Sequence, residues 1–498
     1  PLPTLSGTET LSNKTLASPV ATGTVDINGN LDVDGGTIKL DGNYPIGTSN
    51  VALGNTALDG TSGGYNVAIG DSALSASGAF NFNTAVGFYA LNANTGSANT
   101  AMGRGSLQAN TNGSNNTAIG QLALTANTTA SNNTAVGYQS LCANTTGDEN
   151  TAVGYLSLTN NTTGIDNTAV GNNSLRLNTT GNNNVAVGRT ALDDNTTGCY
   201  NTALGRSALE KNTTASNNTA VGHFSLSANT TGSQNVALGT FAGDGIDTAN
   251  YNIAIGYAAL SGDAGDANVA IGRCALVANT SSNNVGIGYH SLCANTTGAN
   301  NTAIGLNSLV KNTTASHNTA IGFCSLKSNT TGTNNVAVGC AALRDNTTAN
   351  NNTAVGIQSL FSNTTGTFNV GLGGCSLYSN TTASSNTAVG FQSLSLNTTG
   401  VCNTATGQNS LQKNTTGLKN TAINREIESI IEYCPEYEDF DLRSNKNFLL
   451  TKIKEGKLWS YYQDASFSFF TCTSIKTRVV SYFIDSSKAS NKIGRASC

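Results

Sequence analysis

Three histidines, His223, His290 and His317, are the only imidazoles in 498 residues, and they are where zinc or acid–base chemistry would first be sought. They fall in separate segments at non-equivalent places in the local pattern, so no triad or zinc site is expected and surface hydrogen bonding is the plainer reading. Asp263 and Asp266, within SGDAGDAN at 261–268, offer carboxylates to calcium, but the nine-residue calcium-roll pattern is absent and an irregular loop is expected instead. Lys457, Trp459, Tyr461 and Tyr462 form the candidate receptor-binding cluster, since aromatic rings beside a cation can stack on a sugar; the competing reading is the core of a small domain. Asn144-Thr145-Thr146 and its many kin are formal glycosylation acceptors, but their regularity marks them as products of a repeat. No catalytic residue, metal site or cofactor is expected.

The chain steps back from chemistry into repetition. NTAVGYQSLCANTTGDENTAVGYLSLTN, residues 133–160, states nearly the same phrase twice. Aligned on the glycine of Asn-Thr-Ala-Val-Gly, the phrase runs from Gly54 to Gly407 through Gly120, Gly137, Gly154, Gly171 and Gly188, with intervals of 17 and, four times, 16 residues. Helical repeats need about 33 residues and propeller blades about 40, so a unit this short fits one coil of a parallel β-solenoid. Two short strands and two corners are expected per coil. Alternation in Thr-Ala-Val, with Val replacing Thr at Val185, Val236 and Val269, predicts Thr and Val inward and Ala outward; Ala135, Ala152, Ala169 and Ala203 would then let another backbone approach. Leu141, Leu158 and Leu175 supply a second inward column. The glycine after Val does not vary, as a corner needing positive φ or close backbone approach requires, whereas the glycine of Asn-Thr-Thr-Gly becomes Ala at Ala130, Ala215, Ala315, Ala349 and Ala383, so the second corner does not need positive φ. Asn127, Asn144, Asn161, Asn178 and Asn195 are placed to form an amide ladder along the axis. Some twenty-two coils rising about 4.8 Å each give a rod on the order of 100 Å.

Composition agrees with a fibre. Charged residues make up 10 % and aromatics 6 %, and no proline lies between Pro45 and Pro435, as a continuous backbone ladder demands. Net charge is −4 with no basic run in the repeats, which argues against nucleic acid as a partner. No leader-like start and no run of eighteen apolar residues occurs, so no membrane insertion is expected; the missing initiator Met suggests a processed or truncated product. The 11 cysteines sit at inconsistent repeat positions and read as mostly free thiols folding in a reducing cytoplasm, with lateral pairing between coils geometrically open.

The strings NVAIG (268–272), NIAIG (252–256) and NTAVG (150–154) resemble the repeats of trimeric autotransporter adhesin heads over roughly residues 46–423. That resemblance implies a left-handed parallel β-roll packed three around an axis; the longer coil, with its Asn-Thr-Thr-Gly corner, departs from it. Residues 1–45, with TLSGTETLSNKTLASPV and DINGNLDVDGGTIKLDG, resemble the N-terminal part of bacteriophage tail-fibre and virion proteins, especially those of cyanophages, which implies an attachment or capping segment. Residues 424–498 differ in kind: the last 78 residues, from Thr421, hold 21 of the charged groups and the only Trp. A short helix from Asn424 to Pro435 followed by strands is expected there, making an α+β knob for trimerisation or receptor binding. Together these readings imply an all-β, homotrimeric, non-enzymatic structural fibre of a virion, extracellular after assembly in the host cytoplasm. Its partners would be itself, virion or tail proteins at the N-terminus, and a host surface glycan or protein. The alternatives are a bacterial trimeric surface adhesin and the subunit of an end-to-end extracellular filament.

Overall fold

A computed structural model describes residues 48–423 apart from Thr61 and Ser77. The expected N-terminal segment, the knob and the cluster Lys457, Trp459, Tyr461 and Tyr462 lie outside the described residues. Within them the chain is a parallel β-solenoid. Twenty-three strands of three residues each, from β1 (Val51–Leu53) to β23 (Thr421–Ile423), form one sheet. Each strand pairs in parallel with its neighbours in sequence, and the register never slips: β6 (Thr134–Val136), β7 (Thr151–Val153) and β8 (Thr168–Val170) align Ala135, Ala152 and Ala169 in one column.

Two expectations are corrected. Each coil carries one strand, not two. The opposite side is a chain of turns in which the second residue after the corner glycine and the leucine both take positive φ, as at Gln139 (φ 52°) and Leu141 (φ 50°). A left-handed leucine costs about 1–2 kcal/mol. The fold repeats that cost in coil after coil because the same geometry buries the leucine completely, worth about 1.5–3 kcal/mol, and sends the N–H of Leu141 to the Ser157 carbonyl of the next coil at 3.0 Å.

The second correction concerns the strand faces. Ala135, Ala152, Ala169 and Ala203 are 0 % exposed and point inward, whereas Thr134 and Val136 are half-buried on the outside and Val185 is 39 % exposed. Interior width is the reason. At Gly286, which replaces the strand alanine in one coil, an added Cβ would already lie 3.0 Å from Leu276 Cγ, and at Gly371 it would lie 2.5 Å from Ser359 Oγ. A lumen filled by leucine has room for a methyl group opposite and not for an isopropyl group.

The corner glycines behave as expected, and both reasons hold at once. Gly137 has φ +135°, and a Cβ there would sit 2.2 Å from the Gly154 carbonyl oxygen of the next coil; Gly120, Gly154, Gly171 and Gly188 repeat this. The second-corner glycines, such as Gly147, are not among the positive-φ residues.

Polar groups fill the rest of the core. The Asn144 side-chain amide donates to Asn127 Oδ1 at 3.0 Å and to the Gly147 carbonyl of its own coil at 3.0 Å, and Asn161 and Asn178 each donate up the ladder at 2.8 Å. Asn195 continues it at 2.8 Å. A buried amide is costly unless satisfied, and here both amide hydrogens and the oxygen are used.

Candidate functional site

No side-chain cluster for catalysis is brought together among the described residues, and none of their His, Cys, Asp and Glu groups forms a metal-holding set. His223 packs against Phe224 and Phe241, His290 lies on Tyr289, and His317 reaches Asn300 at 3.5 Å. The three remain apart, as their non-equivalent positions implied. Asp263 is exposed, and Asp266 accepts the Asn250 N–H at 2.7 Å in a shortened coil. On the outer corner, Asp166 hydrogen-bonds Glu149 and repels its charge, and burial and Asp148 add to this, so the Glu149 carboxyl is held above its usual range; the pair is a surface acid couple on one column.

The surface that is organised is the outer face of the strands. Every described strand except β22 (Thr404–Thr406) ends in an outward Val, Ile, Leu or Met, and its first residue is Thr, Val or Ile; no charge occurs at either place. Ile119 is 38 %, Leu204 46 % and Val355 39 % exposed. With strands about 4.8 Å apart, this makes an apolar strip on the order of 100 Å long. Isolated exposed aliphatics need no explanation, but a contiguous strip of this length marks an interaction surface.

A ridge borders the strip, one residue past each corner glycine. Tyr138 and Tyr155 stack there with ring centroids 5.4 Å apart, and Arg273 lies between Tyr257 and Tyr289, its guanidinium carbon 5.8 Å from each ring centre. Axial repetition makes such stacking nearly automatic, since equivalent side chains in adjacent coils are one strand spacing apart.

A second asparagine column was missed in the sequence reading. An Asn precedes every one of the twenty-three described strands and is buried: the Asn150 N–H donates to Asn133 Oδ1 at 2.9 Å, and the Asn150 side chain donates to the Gly164 carbonyl of the next coil at 2.8 Å. Its lack of variation within the chain was the available signal.

No family model matches the chain, and no curated protein and no solved structure matches it. Among the described residues no helix is long and apolar enough to cross a membrane.

Proposed function

We propose that this chain is a non-enzymatic structural fibre protein: a homotrimeric β-solenoid rod that acts as a rigid spacer in a phage tail fibre or similar virion appendage. The N-terminal segment attaches it to the particle, and the C-terminal region presents a tip to the host surface. The observation that carries the reading is the uncharged outward strip running over all the described coils. A slim solenoid whose apolar interior is in most coils a leucine with one or two alanines buries little apolar surface alone. Packing the strips of several copies against one another removes that surface from water, and the shared axial repeat lets their side chains interdigitate in register. Three as the number of copies, and a virion as the place, rest on the resemblances of the repeat and of residues 1–45. Three tips on one rod would turn weak receptor contacts into avidity.

The strip is tested by charging it. In the full chain, Val136→Lys, Val153→Lys and Val170→Lys together point three ammonium groups into the proposed interface while leaving the interior untouched. Light scattering should then show the wild type as an oligomer and the triple variant as a monomer that keeps its β circular dichroism. An assembly of unchanged mass would exclude the strip as the contact.

A further inference from the structure

Each coil sets the fifth residue after its corner glycine over the second residue of the preceding coil. Asn92 donates to the Ser72 carbonyl at 3.1 Å and Ser261 to the Phe241 carbonyl at 3.0 Å across this diagonal, and Gln412 Nε2 meets Gln392 Oε1 at 3.2 Å, side chain to side chain. Cys274 and Cys293 occupy the same diagonal: Cys274 is second after Gly272, and Cys293 is fifth after Gly288. Both are free, half-buried thiols. The contacts at the equivalent places, at 3.0–3.2 Å, bring a side chain at the fifth position within reach of the second residue of the preceding coil, the neighbourhood a disulfide requires. Burial and then the charge of Cys274 raise Cys293 above its usual thiol range. No other described cysteine has a cysteine across its diagonal: Cys142 faces Leu122, Cys324 faces Arg344 and Cys375 faces Ser395.

We propose that Cys274 and Cys293 are an oxidisable pair that forms a disulfide between adjacent coils once the chain leaves a reducing compartment. The oxidant is a small disulfide such as oxidised glutathione. The thiolate of one cysteine attacks it, forming a mixed disulfide and releasing one glutathione thiol; the second cysteine, as thiolate, then attacks the protein sulfur and releases the other. One S–S bond forms in the protein, one breaks in the oxidant, and the two protein protons end on two glutathione thiols. The placement gives the bond a mechanical use. Asn279 and Asn295, in the same two coils, bond to each other as the first rung of an amide ladder that begins after a stretch where the ladder is missing. A cross-link here fastens the rod where its side-chain ladder restarts.

The test uses the full folded chain in glutathione redox buffers of increasing oxidised fraction, quenched by alkylation and cleaved after Tyr289, which separates the two cysteines. The expected result is a Cys274–Cys293 linked fragment lighter by about 2 Da than its reduced parts, formed from the folded chain and not favoured when oxidation is done in denaturant. Cys293→Ser, which leaves no resolving thiol, should accumulate a stable glutathione adduct on Cys274, where the wild type passes through it. Both cysteines remaining separately alkylated or separately glutathionylated in the folded chain at every ratio would overturn the proposal, as would pairing of either with a different cysteine.

Discussion

The nine coils from Asn94 to Asn229 and the two that follow them share one sheet and one register, yet they solve the interior differently. In the first block nine asparagines bond in an unbroken column ending at Asn229. A second column of nine runs from Asn279 to Asn414. Between them the place is taken by Ile246 and, in the shortened coil after Gly256, by the buried Ala264. The consequence appears as stranded polar atoms: Asn229 Oδ1, Asp244 Oδ1 and Asn252 Nδ2 are buried without partners. The sheet does not notice, since Val236 still aligns with Ile253 and Ile253 with Val269. Backbone ladder and amide ladder are therefore separable devices. The strands and corner glycines set the coil, and the asparagines fasten coil to coil where they are present.

The largest effect should come from a feature both regions share. Gly154→Ala places a Cβ at φ +142° and 2.2 Å from the Gly171 carbonyl oxygen, so the coil must both strain and shift; a local loss of more than about 3 kcal/mol is expected. Repeat arrays need not unfold in one step, and amide hydrogen exchange of the flanking strands is the proper measurement. Equal protection in variant and wild type would refute the stacking account of the corner.

Next in size is the contrast itself. Asn161→Leu removes the donor to Asn144 Oδ1 and the acceptor of the Asn178 amide, and should cost about 2–4 kcal/mol by the same exchange measurement. Ile246→Asn offers Asn229 a donor but gives up buried apolar surface and finds no asparagine in the following coil, so its net effect should stay below about 1 kcal/mol. If the two substitutions cost the same, the amide ladder has no special role.

A subtler comparison lies at the second corner. From Ala215 to Gly400 the coils alternate between a residue with a Cβ and glycine, with Ala249, Ser281, Ala315, Ala349 and Ala383 at every second place. A Cβ added at Gly332 would lie 2.3 Å from the Ala349 carbonyl oxygen, and one at Gly164 2.5 Å from that of Gly181. A coil that carries a methyl group here must shift against its neighbour, and a neighbouring glycine gives way most easily. Gly332→Ala, between two alanines, should thus cost about 1 kcal/mol more than Gly164→Ala, between two glycines; equal costs would make the alternation incidental.

The smallest effect is a pH dependence confined to the interruption. Burial raises the Asp244 carboxyl above its ordinary 3.8. The native state therefore holds that proton more tightly than the unfolded chain. Stability from this group is present below about pH 4 and is lost as pH rises through the raised value. Asp244→Asn should protect the amides near residue 244 at neutral pH, by less than about 1 kcal/mol, and leave them unchanged at pH 3. A gain that persists at pH 3 would point to packing instead.

How much of this was legible depended on how singular each residue type is. An unvarying glycine every 16 or 17 residues admits few explanations, and the leucine and Asn-Thr-Thr columns fixed the coil and one ladder. Thr-Ala-Val was misread because all three residues tolerate either face of a strand; only the width left by leucine decides that Ala goes in and Val goes out. The left-handed leucines were hidden because leucine ordinarily avoids that conformation, so propensity pointed away from them. Asn115, Asn132 and Asn183, left-handed at φ 57–62°, carried a usable signal two residues beyond the second corner, since asparagine is enriched there. The outward strip became visible only after the faces were assigned, and the candidate tip residues lie outside the described part of the chain.

The most direct test of the fibre account is to measure mass and length on the same purified full-length particles, by light scattering and negative-stain microscopy. The account predicts a mass three times 50.7 kDa and a uniform rod on the order of 100 Å along its solenoid. A single-chain particle, or an open-ended polymer of variable length, would contradict it.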